Sequence, residues 1–188
     1  MKREEDRNRV CPVERAGALD TRYRKLIQSP KRILKPYVKP GMLAVDLGCG
    51  PGVYTLEMAR RVGEKGTVIA ADIQDGMLKI IEGKIQNSPL EKIIKLHKTT
   101  AESLRLSVQA DFVLAFYVLH EIPGKENLYN ELYTLLKPGG KILIIEPRGH
   151  VKKQEFKDMV SKLELLGLYQ VKCAKVLFAY TVLLQKPE

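Results

Sequence analysis

Apolar residues fall along this chain in two alternating patterns. Short continuous apolar runs, each bounded by turn residues, predict buried strands at 43–47, 67–71, 93–96, 111–118 and 141–146. Between them the apolar positions recur every three or four residues, which predicts helices over 53–62 and 76–86. Leu128, Leu132, Leu135 and Leu136 mark a further amphipathic helix that Lys137-Pro-Gly-Gly140 is expected to end. Phe156, Val160, Leu163 and Leu166 mark a last one, stopped by Gly167. Near the start, Ser29-Pro30 reads as a helix cap followed by a first-turn proline, and Ile33, Leu34, Tyr37 and Val38 continue at helical spacing. Residues 169–176 and 180–184 read as two strands with no helix between them, so they are expected to pair antiparallel.

Strands alternating with helices imply a mostly parallel sheet covered on both faces. Strands that are apolar throughout fit that two-sided burial. The predicted class is therefore α/β, a Rossmann-like doubly wound sheet of seven strands with a C-terminal antiparallel hairpin.

The first predicted strand ends in Asp46 and runs into Gly48, Gly50 and Gly52. Glycines let the backbone turn sharply and let a ligand lie against it without a Cβ clash. A dinucleotide fingerprint needs glycine at the first, third and sixth positions. Counted from Gly48 the sixth position is Val53, so that pattern fails and Asp-x-Gly-x-Gly-x-Gly stands instead. Asp72 closes the second strand, twenty residues after Gly52. An acid at that strand end can accept ribose hydroxyls; capping the next helix is the competing role, with Asp75 as a second cap candidate. Ala101-Glu102-Ser-Leu104 follows the third strand, and 115–121, ending in His120 and Glu121, follows the core of the fourth. An imidazole titrates near pH 6.5 when unperturbed, which suits a general base at neutral pH. His97 and His150 stand alone in the sequence and read as surface or loop residues.

Length and charge narrow the picture. The 188 residues fit one domain with a sizeable core. No apolar run approaches a membrane span, and the charged first nine residues lack the hydrophobic region of a signal peptide. A cytoplasmic protein is expected. Cys11, Cys49 and Cys173 are scattered, with no Cys-x-x-Cys pair, so no metal site is expected. Residues 1–39 hold twelve Lys or Arg against five acids, and so carry most of the net +10. Such an arm can meet an anionic substrate or a nucleic acid, or can simply be a solvated leader.

The glycine turn, Asp72, the Ala101–Leu104 stretch and the Lys-Pro-Gly-Gly turn, in this order and spacing over 29–185, resemble class I S-adenosylmethionine-dependent methyltransferases. The resemblance implies S-adenosylmethionine as cofactor. It implies that Asp46, Gly48, Cys49, Gly50 and Gly52 cradle its amino-acid part. Asp72 would take the ribose and Ala101 and Glu102 the adenine, with Ile73 and Phe116 as further cofactor-binding residues. His120 and Glu121 would then be the catalytic candidates, with Tyr23, Tyr117 and His120 toward the substrate. Signatures of the adenine-, cytosine-, arginine- and catechol-methylating types are absent from the sequence. What remains is similar to the small-molecule branch, close to the quinone C-methyltransferases, with a small-molecule methyl acceptor. Methylation of RNA through the basic arm, and a cofactor-binding subunit without activity, are the alternatives. Residues 1–28 divide from a domain at 29–188. Their apolar positions Leu19, Tyr23, Leu26 and Ile27 predict a lid over the cofactor mouth, or else a helix packed outside the sheet.

Overall fold

The computed structural model describes residues 28–122 and 125–188. Tyr23, Cys11 and all of the predicted lid except Gln28 lie outside the described residues. A short helix α1 (Pro30–Leu34) is capped by Ser29, whose hydroxyl accepts from Arg32 N–H, with proline in the first turn as predicted. There follow β1 (Leu43–Leu47), α2 (Val53–Val62), β2 (Thr67–Asp72), α3 (Asp75–Ile85), β3 (Ile94–Lys98), β4 (Ala110–Phe116), α4 (Lys125–Leu135), β5 (Leu136–Pro147), α5 (Lys153–Leu165), β6 (Tyr169–Val171) and β7 (Ala179–Gln185).

The seven strands form one sheet in the order β3-β2-β1-β4-β5-β7-β6. Strands β1 to β5 pair in parallel; β7 runs antiparallel to both β5 and β6. Two apolar layers sandwich the sheet. One holds Val45, Val113 and Ile144 with Leu132 and Leu163; the other holds Ala44, Leu114 and Ile145 with Met58 and Ile81. Alternate residues of one strand feed opposite layers, which is why these strands read as continuous apolar runs. Among the described residues, no helix is long and apolar enough to cross a membrane.

Several boundaries differ from expectation: α1 ends at Leu34 and does not run on through Val38, and β4 ends at Phe116 and not at Val118. Strand β6 stops at Val171 instead of 176. Beyond it the chain leaves the ladder: Ala174 N–H turns to the Tyr37 hydroxyl and Val176 N–H to Thr181 Oγ1. The Lys137–Gly140 turn is not a gap between helix and strand. Strand β5 begins at Leu136, directly after α4, and the turn is a register irregularity between the Ala110–Leu136 and Phe112–Lys141 pairs. Asp111 anchors it, accepting from Lys137 Nζ at 2.6 Å and from Leu43 N–H at 2.7 Å. The cap of α3 is Gln74, not Asp72, and Asp75 instead pairs with Lys98 at 2.7 Å.

Candidate active site

The order β2-β1-β4 puts the crossovers from β1 and β4 on opposite faces. A crevice therefore opens beyond the carboxyl ends of these two neighbours. A cavity of about 630 Å³ fills it, within the ~300–1,000 Å³ typical of small-molecule sites.

The glycine turn forms its floor. Gly48 and Cys49 both donate to Ala71 O, at 2.8 and 3.1 Å, which pins the turn to the end of β2. Gly48 adopts φ +64°, and a Cβ there would lie 2.3 Å from Val118 Cγ2. Only glycine lets the turn and the segment after β4 approach this closely. Gly52 does not line the cavity. It sits at the cap of α2 with φ +84°, and a Cβ there would meet Ile81 Cγ1 of α3 at 2.8 Å. Its contribution is helix packing, and any effect on a ligand acts through the turn.

Two acids line the cavity beside this floor. Asp72 Oδ2 accepts from Gly50 N–H at 2.9 Å and Oδ1 from Gln74 N–H at 2.8 Å. Burial pushes its carboxyl up, while hydrogen bonds from the Gln74, Gly50 and Ile73 backbone and the Lys98 charge pull it back. Asp46 is buried deeper and accepts from Thr55 Oγ1 at 2.6 Å. Burial raises its pKa from the ordinary 3.8 to about 7; the Thr55 hydroxyl lowers it and the Asp72 charge raises it further. Burial likewise raises the Cys49 thiol well above its usual range, so Cys49 is a packed thiol and not a thiolate at neutral pH.

The Asp46 shift has a direct consequence. The folded protein holds this proton more tightly than the unfolded chain, so the group's contribution to stability falls as pH rises from about 4 to about 7 and then levels. Asp46→Asn should therefore gain on the wild type in melting temperature between pH 5 and pH 8. A difference that does not change with pH would show that Asp46 is ionised at low pH.

The side walls come from three further segments. A turn in which Ser103 N–H donates to Thr100 Oγ1 presents Ala101 and the exposed Glu102. Glu131 of α4 fixes this loop by accepting from Leu104 N–H at 2.6 Å. Phe116 stacks on Tyr54 and meets Tyr117 at a tilt, the ring centroids lying 4.4 and 4.5 Å apart. Gln28 ties this aromatic wall together, donating to the Tyr117 hydroxyl at 2.5 Å and accepting from Tyr54 at 3.2 Å. Ile73 lines the cavity beside Asp72.

His120 and Glu121 also line the cavity, on a single 3-10 turn, Leu119–Glu121, whose first residue is fully buried. His120 Nδ1 lies 2.5 Å from Glu146 Oε2, and its Nε2 lies 3.9 Å from Glu121 Oε1. Glu146, at the end of β5, is 1 % exposed and also accepts from Leu119 N–H at 2.9 Å. His150 is exposed on the turn after β5, as expected for a surface or loop residue, yet it packs edge-on to His120, the ring centroids 5.8 Å apart, and lines the same cavity. Sequence reading missed Glu146. The available signal was an acid closing an otherwise apolar strand. Gln28 and Tyr54 carried no such signal. Among the described residues, no group of His, Cys, Asp and Glu is placed to hold a metal ion.

A family profile described as a methyltransferase domain matches residues 38–179, and the chain belongs to that family. A demethylmenaquinone methyltransferase of Lactobacillus johnsonii is 37% identical over 110 residues, 58% of this chain and 45% of that protein. A ubiquinone/menaquinone biosynthesis C-methyltransferase of Citrobacter koseri is 36% identical over 110 residues, 58% of this chain and 44% of that protein. The chain thus spans less than half the length of these curated relatives. A SAM-dependent methyltransferase from Aquifex aeolicus has the same fold, with a TM-score of 0.81 at 24% identity, covering 94% of this chain and 99% of that one.

Proposed function

We propose that this chain is an S-adenosylmethionine-dependent methyltransferase acting on a small-molecule acceptor, with quinol-type rings as the first class to try. One observation carries the reading: the glycine turn with Asp72 and the imidazole of His120 open into a single cavity. The donor set fits the cofactor. Buried carboxylates suit a cation and a ribose diol, and the aromatic wall suits a flat base. When bound, that cofactor supplies a methyl group already activated by its sulfonium. The chain's own residues then orient the two partners and exclude water, which can account for most of the acceleration. His120, through Nε2, takes the proton that the acceptor loses. The small-molecule relatives named above support this acceptor class, and so does the absence of nucleic-acid-modifying signatures from the sequence.

The test is incubation with isotopically labelled cofactor and a panel of quinols bearing an open ring carbon, read by mass spectrometry. His120→Ala should slow turnover by at least roughly a hundredfold and leave cofactor affinity within about twofold. Cofactor binding without turnover across the panel would make the chain a binding subunit. Methylated RNA as the sole product would move the acceptor to nucleic acid.

A further inference from the structure

Behind the cofactor cavity lies a second one of about 370 Å³, between the start of α5 and the end of β5. His120 lines both cavities, and Glu146 lines only the second. The pair is thus part of the wall that separates them. Glu146 is held from behind by backbone: Oε1 is committed to Leu119 N–H, so Oε2 is left to face Nδ1 of His120. A backbone N–H can only donate, so this half of the arrangement cannot be reversed.

We propose that Glu146 is the positioning residue for His120: it holds the imidazole as its Nδ1–H tautomer and so keeps the Nε2 lone pair for the methyl acceptor. The inference rests on the methyl-transfer reading and deepens it. In the proton step a bond forms between Nε2 and the proton of the acceptor. The electron pair of the broken C–H or O–H bond stays on the acceptor, and the imidazolium is stabilised by the Glu146 carboxylate. No oxidant or reductant is required. A carboxylate can play this part without touching substrate, because the tautomer it selects decides which nitrogen is basic.

Glu146→Gln isolates that role. A carboxamide has one acceptor end and one donor end. Leu119 N–H must keep the acceptor, so the amide NH₂ turns to Nδ1 and makes it an acceptor. The imidazole is then forced into the Nε2–H tautomer, which cannot take a proton from the acceptor. Nitrogen-15 spectra of histidine-labelled full-length protein read the tautomer directly and need neither cofactor nor acceptor. The wild type should show the unprotonated nitrogen at Nε2 of His120, and Glu146→Gln should move it to Nδ1. Turnover of Glu146→Gln should fall at least roughly a hundredfold in kcat, with KM for the cofactor unchanged. Glu146→Asp keeps two acceptors and should restore the Nδ1–H tautomer and part of the rate.

A wild-type spectrum with the proton on Nε2 would overturn the assignment even if the enzyme is active. So would a Gln variant with the wild-type pH–rate profile. If Glu146→Gln does not fold, the wild-type spectrum and the Asp variant still decide. A tautomer switch without turnover of any acceptor would uphold the role of Glu146 and refute the methyl-transfer reading.

Discussion

Gly48→Ala is expected to lower the melting temperature by roughly 5–15 °C and to remove cofactor binding from the measurable range. Two costs add. A side chain at φ +64° carries a left-handed penalty of about 1–2 kcal/mol. Its Cβ would also overlap Val118, whose Cγ2 and Cβ lie only 2.3 and 2.7 Å away, and overpacking of this kind costs about 1–3 kcal/mol. A domain of this size loses ~2–4 °C per kcal/mol. The two costs can be separated. Val118→Ala in the Gly48→Ala background removes the Cγ2 overlap but leaves the Cβ contact at 2.7 Å and all of the backbone strain, so the double variant should recover only part of the lost stability. Calorimetric unfolding of the four proteins makes the cycle. Strict additivity of the two substitutions would mean that Val118 does not press on this turn.

Asp72→Ala should raise the dissociation constants of S-adenosylmethionine and S-adenosylhomocysteine at least roughly a hundredfold. Each hydrogen bond to a charged acceptor is worth about 1.5–3 kcal/mol. The side chain does more than meet the ligand, since it also holds Gly50 N–H and Gln74 N–H. Removing it frees the middle of the glycine turn and the entrance to α3 together. Stability should suffer less than affinity, because the loss also relieves Asp46 of a neighbouring negative charge. Titration calorimetry on the variant and a melting curve distinguish the two effects. Unchanged affinity would remove Asp72 from the cofactor site.

The elements that positioned this site were legible because their patterns are local. An apolar run closed by Asp46 and followed by alternating glycines states both a strand and its turn. The two-sided burial that makes β4 and β5 featureless as alternating strands is what marks them as central. The same logic fails at edges. Lys172 to Lys175 continue a plausible strand in sequence, but strand β6 has only β7 as a neighbour, and after Val171 a tyrosine hydroxyl 137 positions away takes the backbone at Ala174. Of the site, the residues carried on turns with fixed spacing could be named from sequence. Glu146 showed there only as an acid closing an apolar run; its role depends on His120, 26 residues earlier, and on a parallel pairing that brings the ends of β4 and β5 side by side. Gln28 depends on contacts to Tyr54 and Tyr117 that no local pattern announces.

The contact between Gly48 and Val118 joins two pieces of the molecule with different tasks. Under the proposed function the turn would meet the cofactor and the segment 117–121 the acceptor; both line one cavity. With no Cβ between them, neither can shift without displacing the other. Occupancy of one side then biases the position of the other, and such a bias is a coupling free energy. Coupling of this kind is reciprocal by thermodynamic necessity. Whatever factor the cofactor adds to acceptor affinity, the acceptor returns to the cofactor, and the demethylated product, lacking the transferred group, returns a different one. In the proposed reaction the missing side chain at position 48 would thereby couple the two halves of the cavity.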